Sequence, residues 1–454
     1  MTKTKAYITE GPLFKSIVTF TIPILVATLI ANLFHSADMI ILGNMADSVA
    51  VASVGATANV IGLVVNFFIA LPTGTSVFLA RSIGARQTGQ IKRIVDTSMY
   101  FSVAIGIFVA ILGNVVSVPI LRALDCPADC FDGAVTYLRI YMWGVPAILI
   151  YSFGSAIIRA EGDSRRPLVY TIVSGVANVA LNYVLCLVMS EKVAAVAIAT
   201  IASQVISAVL VVIRLFVKDG DCKFTLKNPS FRFSELGRLM RFSIPGAICS
   251  LMYPLASLQI SSALNSYGSA AVAGTAAGTN VEGLTNSFYA AFSTTLVTFV
   301  SQNIGAGNVG RVKKSMTYCA ICAIVLGSMG LFIYLFCPEF VLSFYVPGDA
   351  DAIFYGIARM RFVLAFQMVA ATNGILAASL QAFGRPTLTS VNSIISVLCW
   401  RLFWMAFVYP RYQTINCLLF CFSCSWMLNL VINLACFLPT YIKFRKHGVK
   451  AVKV

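Results

Sequence analysis

Charge is scarce in this chain. Of its 454 residues only 11% are charged and 59% are hydrophobic, where a soluble domain carries about 25% charged residues. Histidine is rarer still, at two, and no paired-histidine zinc motif occurs. Walker-type Gly-rich loops, nucleophile elbows and dinucleotide fingerprints are missing too. ATP-driven export and intramembrane enzymology are therefore disfavoured, and neither an enzyme nor a cofactor is expected. Period-2 alternation over about ten residues is also lacking, which excludes a transmembrane barrel. What the chain has instead is continuous apolar runs of about 20 residues or more, each long enough to cross a hydrocarbon core. The fold class they predict is an all-α polytopic membrane protein.

Acids are the scarcer charge: 17 Asp and Glu against 33 Lys and Arg, a formal net charge of +16. In a soluble protein that balance would suggest nucleic acid. Here the basic residues gather in the loops of one side, so a lipid bilayer is the expected partner and nucleic acid is not. Lys3, Lys5 and Lys15, then Arg81 to Arg93, Arg159 to Arg166, Arg214 to Arg241, Arg311 to Lys314, Arg385 and Lys443 to Lys453 mark that side. The positive-inside rule makes it cytoplasmic, with both termini. Arg122, Arg139, Lys192, Arg359, Arg361 and Arg411 fall on the other. The polar, basic start before a long apolar run argues against a cleaved signal. Of thirteen cysteines, Cys417, Cys421 and Cys424 have no His or acidic neighbours and are expected to pack. Cys126 and Cys130 flank Pro127; their spacing permits a disulfide without requiring one.

Twelve helices are predicted, at about 14–42, 49–71, 91–120, 133–158, 166–189, 193–217, 235–265, 270–299, 310–336, 351–380, 387–408 and 413–441. They fall into two like halves. Phe20-Thr-Ile-Pro23 returns as Phe242-Ser-Ile-Pro245. Ser82-Ile-Gly-Ala85 returns as Asn303-Ile-Gly-Ala306, Asn59-Val-Ile-Gly-Leu63 as Asn280-Val-Glu-Gly-Leu284, and Gly162 to Pro167 is echoed by Gly384-Arg-Pro386. Two six-helix repeats of equal topology predict an N-lobe (1–217), a cytoplasmic linker (218–234) and a C-lobe (235–454). The stretch from Phe231 to Leu239 is expected as a short helix on the membrane surface.

Against this background Asp38 is out of place, since it sits inside the first apolar run. A carboxylate near a bilayer centre costs roughly 2.5–3.5 kcal/mol on insertion scales. Burial also raises a carboxyl's pKa and brings protonation toward neutral pH, so a cation-coupled carboxylate is the functional reading. His35, at i, i+3 from Asp38, serves either as a proton relay or as a structural, hydrogen-bonded side chain. Asn178 and Asn182, at i, i+4, share one face of the fifth helix, and Thr200 lies on the sixth. Glu282, at the start of the eighth predicted helix, is the other intramembrane acid. Arg401 in the eleventh helix is expected to pair with an acid such as Glu282 or to reach the interface. Pro23, Pro146 and Pro245 permit kinks.

Three features resemble the multidrug and toxic compound extrusion (MATE) transporters. They are Ile22-Pro23 leading to Ala37-Asp38 and Gly43, the duplicated loop Arg81-Ser-Ile-Gly-Ala85 and Ser301-Gln-Asn-Ile-Gly-Ala-Gly307, and Ile158-Arg-Ala-Glu-Gly-Asp-Ser-Arg-Arg-Pro167 leading into Asn178 and Asn182. The resemblance spans nearly the whole chain. It implies a V of two six-helix lobes in a bacterial plasma membrane, a monomer in which cations drive efflux of amphiphilic, often cationic compounds. It implies a cation site at Asp38, Asn178, Asn182 and Thr200. Relatives usually carry Asp where this chain has Asn182, so one carboxylate remains. That favours H⁺ over Na⁺ as the coupling ion, though Asn182 still offers a carbonyl oxygen to sodium. The repeat counterpart of Asp38 falls at Gln259 or Ile260, leaving the seventh helix without an acid. Glu282, Tyr141, Tyr151, Tyr253, Tyr289, Phe292 and Gln259 are the expected substrate-lining residues, because aromatic rings suit flat cations. The rival reading, a lipid-linked oligosaccharide flippase, would need a strongly basic cavity. Arg401 is the lone basic residue expected at mid-span.

Overall fold

The computed structural model describes residues 6–45, 48–124, 126–217, 220–227 and 229–452. Helices account for all regular structure among them. Twelve long helical segments follow in order: α1 (Leu13–Met45), α2 (Ser48–Ala70, continued by Pro72–Gly84), α3 (Thr88–Ala123), α4 (Phe131–Ala160), α5 (Arg165–Val188) and α6 (Lys192–Val217). Then come α7 (Phe233–Asn265), α8 (Ser269–Gly305), α9 (Val309–Phe336), α10 (Ala350–Val363, continued by Gln367–Ala382), α11 (residues 386–412) and α12 (Ile415–His447).

Eleven of the twelve are long and apolar enough to cross a membrane. The exception is α8. Its 37 residues extend about 55 Å at 1.5 Å per residue, but they are rich in Gly, Ser, Thr and Asn and include Glu282. Such a helix crosses a bilayer when neighbours shield it. Here α9 and α10 pack along α8, and its Thr275, Thr285, Ser287, Thr295, Thr298 and Asn303 are buried.

Two compact units are present, Val26–Ser243 and Met1–Leu25 with Ile244–Val454. The repeat divides the chain in the linker; packing divides it inside α1 and α7, next to Pro23 and Pro245. In the second unit the start of the chain is tied down by specific bonds. Thr21 Oγ1 lies 2.9 Å from Thr295 Oγ1. Arg311 donates to the carbonyls of Ile8 (3.0 Å) and Gly11 (2.9 Å), and Asn303 Nδ2 donates to Ile8 O (3.2 Å). In the first unit the linker lies on α3: Ser230 N donates to Asp96 Oδ2 at 3.0 Å, and Phe224 and Phe231 meet Tyr100 edge-on. The expected surface helix at Phe231 to Leu239 is absent. From Phe233 on, those residues are the opening turns of α7, which continues unbroken, because no proline separates Phe233 from the apolar run and a lone Gly237 is tolerated within a helix.

The repeat also appears in the helix ends. After α2, Gln87 N bonds Ser82 O (3.0 Å) and Arg86 takes φ 57°; after α8, Asn308 N bonds Asn303 O (2.9 Å) and Gly307 takes φ 75°. After α4, Asp163 N bonds Ile158 O (3.2 Å) around Gly162; after α10, Arg385 N bonds Leu380 O (2.9 Å) around Gly384. Each is a helix end closed by a 6→1 bond with a left-handed residue inside it. The duplicated sequence loops are therefore duplicated caps.

Candidate functional site

In the first unit, α1 and α5 come close because Gly175 lacks a side chain: a Cβ there would collide with the ring of Phe34. One turn beyond Phe34 stands Asp38. Asn182 Nδ2 donates to Asp38 Oδ1 at 2.5 Å. Asn178, Asn182 and Thr200 are all buried, Asn182 completely. The side-chain oxygens of Asn178 and Asn182 receive no hydrogen bond, which normally costs about 1–3 kcal/mol per buried group. Thr200 spends its hydroxyl proton on Val196 O of its own helix (2.9 Å). Tyr137 and Tyr141 of α4 stack on each other, 6.1 Å apart, and pack with Leu42 of α1 and Cys186 of α5, one turn beyond Asp38 and Asn182. A carboxylate and two amide oxygens without donors are thus gathered in one apolar neighbourhood, an arrangement able to receive a cation. The side chain of His35 lies outside the described residues.

The second unit holds a different cluster. Glu282 does not start its helix; it lies well inside α8, and its Oε2 accepts from Arg359 Nη2 at 2.7 Å. Two expectations are corrected by this pair. Glu282 is not a free acid awaiting a cationic compound, and it is not the partner of Arg401; Arg359, predicted inside the tenth helix, is 8% exposed within α10. The Arg359 side chain is 10% exposed and that of Glu282 19%; a largely buried guanidinium calls for a counter-charge, and the nearer arginine takes the acid. Arg401 is left with the hydroxyl of Ser425, 3.4 Å from its Nε and Nη2. Both guanidinium groups lie against the ring of Phe422, at 5.0 Å for Arg359 and 4.5 Å for Arg401. Gln367 Nε2 donates to Thr285 Oγ1 (3.0 Å) beside them.

The remaining residues expected to line a substrate path are dispersed. Tyr253 faces Arg401 at 5.7 Å and is 44% exposed. Tyr289 and Phe292 are buried, and Gln259 is exposed. Tyr141 belongs with Asp38 in the other unit. The Tyr151 hydroxyl is engaged with Thr171 Oγ1 (2.9 Å) and Pro167 O (3.3 Å), clamping α4 to the start of α5, so it acts as a joint.

Sequence reasoning missed an amide chain in the second unit. Asn433 Nδ2 donates to Asn429 Oδ1 (2.6 Å) and Asn373 Oδ1 (3.3 Å), Asn429 Nδ2 to Ser396 Oγ (2.8 Å), and Asn392 Nδ2 to Asn429 O (3.1 Å). Asn429 and Asn433 stand at i, i+4 in α12, the same signal that singled out Asn178 and Asn182.

Buried polar clusters inside two repeats of apolar helices define a multi-pass membrane transporter. The MatE family model matches the chain twice, over residues 23–184 and 245–403, and the chain belongs to that family. It is 23% identical to the probable multidrug resistance protein YoeA of Bacillus subtilis, covering 85% of this chain and 84% of that one. It is 25% identical to the probable multidrug resistance protein NorM of Thermotoga maritima, covering 88% and 86%. Among solved structures, a MOP superfamily transporter from Pyrococcus furiosus superposes with a TM-score of 0.88 at 21% identity, covering 99% of both chains. A multidrug resistance MATE family transporter in an outward-facing conformation gives 0.88 at 20% identity, covering 99% of this chain and 100% of that one. The protein is thus a bacterial-type member of a multidrug efflux family, a transporter of small molecules that draws on an ion gradient.

Proposed function

We propose that the protein is a cation/drug antiporter that exports amphiphilic compounds by alternating access, with Asp38 as the coupling group. The observation that carries this reading is the Asp38–Asn182 hydrogen bond, flanked by two buried amide oxygens without donors. Protonation of Asp38 from outside weakens drug binding, and proton release inside resets the site. A site whose two ligands oppose each other couples them reciprocally. H⁺ is the ion we propose, because Asn182 leaves the site a single carboxylate. Na⁺ is the second reading, supported by the orphan oxygens of Asn178 and Asn182, since sodium coordinates neutral carbonyls as well as carboxylates.

Coupling needs a moving part. Pro23 removes a backbone hydrogen bond from α1, and the division between compact units falls two residues later. Bending of α1 there would carry Asp38 between exposed and packed surroundings. Solved MATE structures have been described in bent and straight conformations. We place the protein as a monomer in the bacterial plasma membrane with its basic loops and both termini in the cytoplasm. The flippase alternative is not favoured, because the buried arginines of the second unit are two and one is neutralised by Glu282.

The test is efflux of a fluorescent cation such as ethidium from proteoliposomes under an imposed ΔpH or ΔpNa. Wild type should respond to ΔpH, Asp38→Asn should respond to neither gradient, and Asn182→Asp should gain a response to sodium. Undiminished ΔpH-driven efflux by Asp38→Asn would overturn the mechanism. A sodium response in wild type would replace the proton by the second reading.

A further inference from the structure

Arg401 is only 2% exposed, in the middle of an apolar helix. A buried charge demands a counter-charge or dense hydrogen bonding. Among the described residues its one hydrogen-bonding side chain is Ser425, at the long limit of such a bond. Among the described residues no carboxylate lies within ion-pairing distance of it, and Glu282 is already taken by Arg359 at 2.7 Å. Two arginines and one glutamate leave this cluster with one positive charge to spare.

The surroundings are arranged around the guanidinium. Its flat faces meet two aromatic walls, Phe422 at 4.5 Å and Tyr253 at 5.7 Å. Phe422 is buried, whereas Tyr253 is 44% exposed, so the second wall is in part uncovered. Helix α11 is also irregular here. A single α-helical turn, Trp400–Phe403, carries Arg401 between two π-helical segments, Ile394–Cys399 and Trp404–Val408. Wide turns of this kind concentrate at functional sites, because they re-aim a side chain at some cost in hydrogen-bond geometry. Cation–π contact stabilises such a cation, but it leaves the N–H groups without acceptors.

We infer that Arg401, between Phe422 and Tyr253, receives an anionic group, a carboxylate above all, of a planar amphiphilic substrate whose ring stacks on Tyr253. A guanidinium is suited to this because its fork of donors matches the two oxygens of a carboxylate. The substrate class then includes aromatic acids and zwitterions, and is not confined to cations. This inference rests on the exporter reading, and it adds a second, oppositely charged recognition point within one unit of the fold.

The experiment uses the full chain in a non-ionic detergent with two fluorescent probes, 1-pyrenebutyrate and its uncharged amide. Binding is read by energy transfer from the protein's tryptophans, of which Trp400, Trp404 and Trp426 lie in this unit. Wild type should bind the carboxylate at least tenfold more tightly than the amide. Arg401→Gln should erase that preference by weakening the carboxylate alone, and Arg401→Lys should keep part of it. Equal affinities in wild type overturn the inference, and so does an Arg401→Gln protein that retains the preference. The wild-type comparison stands even where the variant does not fold. Phosphatidylglycerol that displaces the carboxylate at stoichiometric amounts would assign the arginine to a lipid headgroup and also overturn it. The assay imposes no ion gradient, so failure of cation coupling leaves its outcome intact, and equal probe affinities leave the coupling reading intact.

Discussion

The two halves of this chain share their helix order and their caps, yet their buried charges have opposite signs. In the polar cluster of the first unit the carboxylate of Asp38 meets a neutral amide; in that of the second, one carboxylate is outnumbered by Arg359 and Arg401. Helix ends are set by backbone geometry, which any duplicated loop inherits. Interior charge is set by single residues and is free to diverge once each copy has its own task. Among the described residues the first acid has a neutral amide as its hydrogen-bond partner. The second acid is held by an arginine, and its unit retains a spare positive charge. We read the first as the coupling end of the transporter and the second as a recognition end.

The largest effect should come from removing the charge of Asp38. Asp38→Asn keeps the side chain's volume and its contact with Asn182 while abolishing the charge. ΔpH-driven ethidium efflux should fall at least tenfold, with the thermal unfolding midpoint in detergent little changed. A fall in efflux matched by an equal loss of folded protein would make Asp38 a structural residue, and the contrast between the halves would lose its functional meaning.

Glu282→Gln should do the reverse, harming stability first. It leaves Arg359 buried without a counter-charge beside Arg401; breaking a fully buried pair from one side costs about 3–5 kcal/mol, and the 19% exposure of the Glu282 side chain lowers that figure. The unfolding midpoint should drop sharply. The double change Glu282→Gln with Arg359→Gln should recover most of that loss, because the charge is then removed together with its partner. A single Glu282→Gln protein as stable as wild type would mean the pair is dispensable and Glu282 free to act as Asp38 does.

Much of this was legible in the sequence, and the gaps have physical causes. The helices follow from apolar runs, and the halves from repeated Pro, Gly and Asn positions. Asp38 and Asn182 were found because an acid and paired amides stand out in apolar helices, and their spacing gives them a common face. Arg359 was read within its helix but not as the partner of Glu282, because one sequence position does not reveal which way a helix turns it. Its pairing with Glu282 joins residues 77 positions apart, which no periodicity encodes. The amide chain of Asn373, Asn392, Asn429 and Asn433 was missed although Asn429 and Asn433 carry the same i, i+4 signal as Asn178 and Asn182. The π-helical segments beside Arg401 leave no mark in composition.

The approach of α1 to α5 offers an intermediate test. Gly175→Leu places a side chain where the ring of Phe34 lies, and overpacking of this kind costs about 1–3 kcal/mol. It should also part Asp38 from Asn182, so efflux should fall by more than the loss of folded protein explains. Gly175→Ala combined with Phe34→Ala, which vacates the space, should restore efflux relative to Gly175→Ala alone. No second unit residue takes part in this contact, so binding of the pyrene carboxylate should not change.

The smallest effect separates what the duplication preserved from what it relaxed. Gly307 and Arg86 occupy equivalent left-handed positions, at φ 75° and 57°, but only one is glycine. A left-handed residue with a side chain costs roughly 1–2 kcal/mol relative to the right-handed form. Nothing lies within 4 Å of a Cβ built on Gly307, so Gly307→Ala tests backbone strain alone and should destabilise by about 1 kcal/mol. Arg86→Gly should act in the opposite direction, with a gain below about 1 kcal/mol because glycine also loosens the unfolded chain. Both are readable as shifts of the thermal midpoint. Opposite signs would mean that the two caps are one device carrying different strain. A loss in both would mean that the Arg86 side chain has acquired contacts of its own, and that divergence between the halves extends from their buried charges to their helix ends.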